Sequence, residues 1–381
     1  MSVSLVKWTA SVQGIYKRET TMSSKTVTAD KARRRFRAMG WSMLLIFACA
    51  IILPTTSYLI PTETANAQVV DDQNQRSNFW RAVREGGSGY SSVKGPETGV
   101  FIDNGGQNWR QLRNGPISTY GGWALIIAVL GCIGFFLVRG KIKIGAEISG
   151  RKVQRWETWE RFMHWFTAAG FVILAITGLS MLFGRLVLIP IMGPEGFALW
   201  ANMSINVHNA VGPFFSIGVL GMFLFWVKHN FFNAVDLKWF ASGGGIIGNA
   251  HPSAGKLNGG EKVWFWVVIL VGLIAVCGSG FALIGWLAQL GIGDETRATM
   301  QFMHKVHAIG AILWITMFVG HAYIGTIGTE GALEGMTTGQ VSEEWAKQHH
   351  DLWYDEVKGT VVGQDKPATG SGVSHPSTST T

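Results

Sequence analysis

Charge is scarce in this 381-residue chain: 15% of its residues are Asp, Glu, Lys or Arg, against 48% hydrophobic ones. Cysteine is scarcer, with only Cys49, Cys132 and Cys277, each inside an apolar block. No CxxC or CxxCH occurs, which argues against structural zinc, iron–sulfur ligation and covalent c-type haem. The cysteines read as small apolar filler. Nucleotide-binding motifs are missing too, so any chemistry that needs them belongs to another chain. The net charge of +8 does not point to nucleic acid, because the basic residues sit beside apolar runs, where they set membrane orientation.

What the chain has in abundance is long apolar runs, with 17 Trp, 22 Phe and 49 Gly. Hydrophobic blocks of about 18 or more residues alternate with charged gaps, the pattern of transmembrane helices. Abundant glycine suits close helix–helix or helix–cofactor approach. The fold class expected is an all-α membrane protein: a four-helix bundle over 162–328, one extra transmembrane helix at 120–138, and an N-terminal signal or anchor.

Residues 1–67 carry "KARRRFRAMG", then "WSMLLIFACAIIL", then "ANA" before Gln68. This reads as a secretory signal cleaved after Ala67, or as an uncleaved anchor, since the tract before "ANA" is long. Met22 is an alternative start. Residues 68–119 form a Gly-rich polar segment, expected on the outer, periplasmic side, with "WRAVREGG" and "WRQLRNGP" as a short repeat. The linker 139–161 holds seven Lys or Arg, the strongest positive-inside signal in the chain, and is placed in the cytoplasm. Four spans follow, at about 162–183, 206–227, 263–288 and 303–326, with external connections at 184–205 and 289–302. The 228–262 loop and the tail 329–381 are then cytoplasmic, and the low-complexity end "KPATGSGVSHPSTSTT" reads as disordered.

Four of the ten histidines lie in or at the ends of spans at matched depths. His208 and His307 fall near the external side, His164 and His321 near the cytoplasmic side. His307 and His321 are 14 residues apart, a rise of roughly 21 Å with an angular offset of about 40° on a helix. Both therefore face one side of the last span at opposite depths. One metal cannot serve both, but two stacked b haems can, with His208 and His307 as axial ligands of the external iron and His164 and His321 of the cytoplasmic one. Two imidazoles per iron leave no open site, so such a haem moves single electrons. The competing reading is ordinary histidines hydrogen-bonded between helices. His304, about 100° off the His321 face, reads as an interfacial residue or one that supports a ligand. Gly310, Ala311 and Gly178 are small residues beside ligands, suited to a porphyrin or to plain helix contact. His349 and His350 diverge by about 100° on a helix and read as a solvated or docking surface. His229, His251 and His375 carry no assigned role.

Several stretches, "RFMHWF", "NVHNAVGPFF", "FWVKHNFFNAVD", "GKLNGGEKVWFW", "KVHAIGAIL", "GHAYIGT" and "GALEGMTTGQVSEEWAKQHHDLWYDEV", resemble the cytochrome b (gamma) subunit of membrane-bound respiratory formate dehydrogenases. The resemblance covers roughly 155–358. Its general dihaem cytochrome b561-like pattern is shared with hydrogenase and thiosulfate-reductase cytochromes, whereas the tail is more specific to the formate enzymes. The resemblance implies the same haem pairs and a quinone site, for menaquinone or ubiquinone, beside the cytoplasmic haem and His321. It implies that Asn258 contacts the quinone; from the residues alone, "LNGG" also reads as a helix-entry turn. It further implies a bacterial inner-membrane location, a catalytic partner holding molybdenum or tungsten, and an iron–sulfur beta subunit. The extension 1–155 carries no chemistry that the resemblance explains.

Three functions follow as expectations. The first is electron transfer from formate oxidation outside, through two b haems, to quinone in anaerobic respiration. The second is the same role in a hydrogenase or thiosulfate reductase. The third is a transporter or scaffold whose histidines relay protons or pack, and it predicts no visible spectrum.

Overall fold

A computed structural model describes residues 106–245 and 251–363. The expected leader 1–67, most of the segment 68–119, Cys49 and the low-complexity end with His375 lie outside the described residues. So does the first copy of the WR repeat.

The chain is an all-α membrane protein. Among the described residues five helices are long and apolar enough to cross a bilayer: Asn108–Arg139, Thr158–Val187, Ile189–His229, Gly259–Leu283 and Arg297–Gly328. In hydrocarbon only the chain itself can satisfy backbone N–H and C=O groups, so apolar runs of this length close as helices. The elements in order are α1 (Gly106–Leu112), α2 (Ser118–Arg139), β1 (Lys152–Gln154), α3 (Thr158–Val187), α4 (Ile189–Trp226) and α5 (Ala234–Ala241). Then come α6 (Gly259–Val267), a π-helical stretch Val268–Cys277, α7 (Gly278–Leu283), α8 (Trp286–Gln289) and α9 (Arg297–Tyr323). The chain continues with α10 (Ala332–Thr337), β2 (Gln340–Ser342), α11 (Glu343–His349) and α12 (Asp351–Val357).

Several boundaries differ from the sequence reading, and two of them change what a segment is. The external connection expected at 184–205 is mostly helix, because α4 begins at Ile189. Gly193, at φ 75 and ψ 170, breaks the helical path, and Pro194 resumes it from a position where a missing N–H interrupts no intrahelical bond. The polar segment also turns helical before its expected end: α1 and the π turn Arg113–Ile117 lead directly into α2.

Contacts divide the chain into two compact units. The first gathers Thr158–Met222 and Val276–Ala308 with the described residues before Thr119. Here α3 meets α4 through Phe166, Val207 and Val211, with Ala169, Ile173, Leu174 and Met203 around them. Lipid is as apolar as these side chains, so close contact rather than water exclusion holds the pair. Gly218 lies so near Phe166 and Thr167 that a Cβ would collide with them.

The second unit gathers Thr119–Glu157, Phe223–Ala275 and the residues from Ile309 onward. Part of it is a polar cap beyond the apolar runs. Antiparallel β1 and β2 pair Lys152 with Ser342, Val153 with Val341 and Gln154 with Gln340. Val153, Val341, Trp345, Ala346 and Trp353 form its buried core. Against water, burying each larger side chain contributes about 1.5–3 kcal/mol. Glu343, 2% exposed, is held by Arg151 and Lys347 and accepts a hydrogen bond from the Tyr354 hydroxyl. The stretch 329–363 is thus a folded element.

α2 stands apart: only 6% of its apolar window is buried, against 39% for Gly259–Leu283. Tyr120, Ile127, Leu130, Leu137 and Val138 are all more than half exposed. A face of this composition suits lipid or another transmembrane chain.

Candidate functional site

His208 and His307 come together in the first unit. Their imidazole centroids are 5.9 Å apart and their planes meet at 70°. His208 projects from α4, beside α3: its Nδ1 lies 2.9 Å from Thr177 Oγ1. The Thr177 hydroxyl donates to Ile173 O at 2.8 Å, so toward His208 it acts as acceptor and Nδ1 carries the proton. His307 projects from α9, with Nδ1 2.9 Å from Val276 O and 3.2 Å from Ser279 Oγ. A carbonyl only accepts, so His307 Nδ1 is also protonated. Val276 belongs to the π-helical stretch, a widened geometry that recurs at functional sites.

The consequence is the same on both sides. Each Nδ1 is committed to the protein, and each Nε2 keeps its lone pair. A second hydrogen bond that fixes the tautomer and ring orientation is what metal-bound histidines carry. Two metal–nitrogen bonds of about 2 Å each, plus the inner halves of two rings, fill a separation of this size. Among the described residues no group of three or more His, Cys, Asp or Glu could hold a metal ion. A metal at this pair would need further donors that these described side chains do not supply, and a macrocycle is one source of them. The residues fit a bis-histidine haem.

Glycines clear the space. A Cβ on Gly178 would stand 3.3 Å from His208 Cε1, and one on Gly280 would stand 3.4 Å from His307 Cε1. Gly178, expected as a small residue beside a ligand, lies against the His208 imidazole.

The remaining histidines are placed singly. His304 is exposed and stacks on Trp109 of α1, centroids 5.2 Å apart and planes at 14°, as an interfacial residue would. Arg113 follows on the same segment and donates to Met181 O of α3. His164 lies half-buried in the first turns of α3. His321, near the end of α9, stacks on Trp264 of α6 at 4.8 Å and 15°. His164 and His321 belong to different units.

Asn258 is the N-cap of α6. Its Oδ1 accepts from Glu261 N at 3.0 Å, while Asn258 N donates to Glu261 Oε2 at 2.8 Å, a reciprocal capping box. The helix-entry role read from "LNGG" is therefore present. It uses the amide oxygen and leaves the NH2 group available as a donor.

The sequence reading missed what stands behind that cap. Arg155 is buried, its guanidinium 4.7 Å from the Trp345 ring and 5.3 Å from the rings of Trp156 and Trp353. Its Nη2 donates to Glu261 Oε1 at 3.1 Å and to His350 Nε2 at 3.1 Å. His350, 1% exposed, donates from Nδ1 to Gly255 O at 2.7 Å. The surface role expected for His349 and His350 is corrected: neither is exposed, and His349 lies half-buried against Trp345 and His251. Burial first, then the Arg155 charge, holds the His350 pKa well below the usual histidine value. Burial, then His251 and Arg155, lowers His349 to about 4. The residues now seen together, Trp345, His350 and Trp353, all sit in the tail motif "WAKQHHDLWY", the only sequence signal that could have pointed to them.

Residues 155–339 match the family described as Prokaryotic cytochrome b561. The chain is 30% identical over 210 residues to the formate dehydrogenase cytochrome b556(fdo) subunit of Escherichia coli K12, covering 55% of this chain and 94% of that protein. It is 26% identical over 209 residues to the nitrate-inducible formate dehydrogenase cytochrome b556(Fdn) subunit of the same strain, covering 52% and 88%. It is 27% identical over 212 residues to the formate dehydrogenase cytochrome b556 subunit of Haemophilus influenzae, covering 54% and 83%.

Proposed function

This chain belongs to the formate dehydrogenase cytochrome b556 subunits of the prokaryotic cytochrome b561 class, and from that premise we propose that it joins formate oxidation to quinone reduction across a bacterial inner membrane. Its partners are a catalytic subunit holding molybdenum or tungsten and an iron–sulfur beta subunit. The basic linker stays in the cytoplasm with the C-terminal cap, and the His208 level faces the periplasm. Residues 68–119 form the periplasmic segment.

His208 and His307 hold an external b haem, and His164 and His321 hold a second one toward the cytoplasm. Bound there, the haems supply one-electron chemistry between the iron–sulfur partner and the quinone. Thr177, Val276 and Ser279 fix the external imidazoles in the tautomer that keeps Nε2 for iron. At the other level, Trp264 lies flat on His321 and gives an aromatic wall, while the Asn258 NH2 can donate to a quinone carbonyl. Protons for the quinol come from the cytoplasm.

The observation that carries this reading is the His208–His307 pair, with both Nδ1 atoms anchored. The formate dehydrogenase relatives favour these partners over a hydrogenase or thiosulfate reductase. Purification with partner identification and a haem count tests it. About two b haems per chain, reduced on adding formate, are expected. About one haem per chain with all four histidines intact overturns the two-haem arrangement.

A further inference from the structure

The polar cap holds a set of contacts that converge on one short loop. Asp351 accepts from Ala254 N at 2.9 Å through Oδ1 and from the Ser253 hydroxyl at 2.7 Å through Oδ2. Leu352 N donates to Ala254 O at 3.2 Å. From the residue before Asp351, His350 donates to Gly255 O at 2.7 Å. Glu261 holds Asn258 N from the other end of the loop, and Arg155 ties Glu261 to His350. Almost a hundred residues of chain separate the loop from its anchors: 97 between Ala254 and Asp351, 95 between Gly255 and His350.

The centre of this set is buried. Arg155 is 5% exposed and His350 1%, while Ala254, at 2%, and Leu257, at 8%, are the loop's own buried apolar residues. A buried cation needs compensation, and here three indole faces, a carboxylate and an imidazole contribute to it. Neutral His350 can serve both partners at once: Nδ1–H donates to the loop carbonyl, and the Nε2 lone pair accepts from Arg155. The arrangement leaves the loop few alternatives between Ser253 and Asn258.

We propose that the C-terminal segment is a latch for the quinone site: His350 and Asp351, with Arg155 and Glu261, are positioning residues that fix the 253–258 loop and so set the Asn258 amide. The inference rests on the reading that Asn258 meets the quinone. The latch touches no quinone itself. It removes loop freedom that binding would otherwise have to freeze, so its effect falls on quinone affinity rather than on turnover once the quinone is bound.

The test uses the purified full complex, with formate as donor and a soluble short-chain quinone as acceptor. His350→Ala and Asp351→Ala are each expected to raise the quinone KM about tenfold, the scale of one lost buried hydrogen bond to a fixed partner. They should leave kcat and the formate-reduced haem spectrum unchanged. His350→Gln, whose amide offers both donor and acceptor groups, should restore most of the affinity. Asn258→Ala should also raise KM, and adding His350→Ala to it should bring little further change, because both act through one amide. Asp351→Ala keeps the question answerable if His350→Ala does not assemble. A wild-type KM in both latch variants, with a raised KM in Asn258→Ala, overturns the latch and leaves the Asn258 reading standing. A wild-type KM in Asn258→Ala overturns that reading and the latch with it. Loss of haem or of kcat in both latch variants shows a general folding role and overturns the latch alone.

Discussion

His307 in the apolar α9 and His350 in the polar cap begin alike and end differently. Each places Nδ1–H on a backbone carbonyl, Val276 O at 2.9 Å and Gly255 O at 2.7 Å. They part at the second nitrogen. His350 Nε2 is taken by Arg155, so every valence of that imidazole points into the protein. His307 Nε2 is left over, on a ring whose centroid lies 5.9 Å from that of a second histidine with its Nδ1 likewise committed. A saturated imidazole is scaffold, whereas a pair that keeps two lone pairs in an apolar setting is able to hold a metal, as proposed for His208 and His307. Burial alone does not tell a site from a brace; counting the valences does.

The strongest way to break the comparison is to remove one member of the unsaturated pair. His307→Ala or His208→Ala is expected to lower the haem content from about two per chain to about one and to end formate-driven quinone reduction. The reduced-minus-oxidised difference spectrum and a haem assay check it. Full haem content in either variant would make the pair a helix–helix contact and no ligand set.

The next effect is on the saturated side. Arg155→Met keeps much of the volume and removes the charge. The substitution strands Glu261 and one lone pair of His350 and gives up three guanidinium–indole contacts. Glu261 is 37% exposed, so solvent recovers part of the loss, and a destabilisation of roughly 2 kcal/mol is expected. It should appear as earlier thermal release of the cap, followed by tryptophan fluorescence or protease cleavage, with the haem spectrum unchanged. A haem spectrum that shifts as much as in His307→Ala would erase the distinction between brace and site.

A subtler change sharpens the comparison within the pair. Thr177→Val preserves shape but takes away one acceptor of His208 Nδ1–H, leaving the Leu174 carbonyl as the other. Removing such an outer partner typically weakens metal affinity by about 10–100-fold. Wild-type haem occupancy is therefore expected at saturating haem, with faster haem loss to a competing apoprotein and a shifted midpoint potential for the external haem alone. Unchanged loss kinetics and potential would mean that Thr177 does not set the tautomer.

Sequence carried the membrane part of this picture well and the cap poorly, for physical reasons. Each span announced itself because hydrocarbon demands a continuous apolar run, and a histidine inside such a run is conspicuous. The pairing of His208 with His307 followed from depth alone. Thr177 did not stand out, since threonine in a helix usually just bonds its own backbone, as Thr177 also does to Ile173 O. Gly193–Pro194 looked like the middle of a loop, yet Pro194 resumes a helix. Arg155 was counted as one more positive charge facing the membrane border, because nothing local shows that its partner His350 lies 195 residues away. In water-facing regions one polar residue looks like another until the contact is seen.

The smallest expected effect concerns pH and separates the two histidine classes once more. The pKa of His350 lies well below the usual histidine value, chiefly through burial and then through the Arg155 charge, and that of His349 lies at about 4, through burial, His251 and Arg155. Both are neutral in the folded cap, whereas an unfolded histidine takes up a proton near pH 6.5. With the folded pKa depressed, the folded state binds fewer protons than the unfolded one below that pH. The cap is therefore at full stability above about pH 6.5 and loses it progressively as the pH falls toward 4. Cap protection against protease should decline over this window in the wild type and decline less in His349→Gln, whose amide does not titrate. The imidazoles of the haem pair, once bound to iron, have no lone pair to protonate, so the haem spectrum should hold across the same range. A spectrum that changes in step with cap release would tie the two regions together and remove the independence on which the comparison stands.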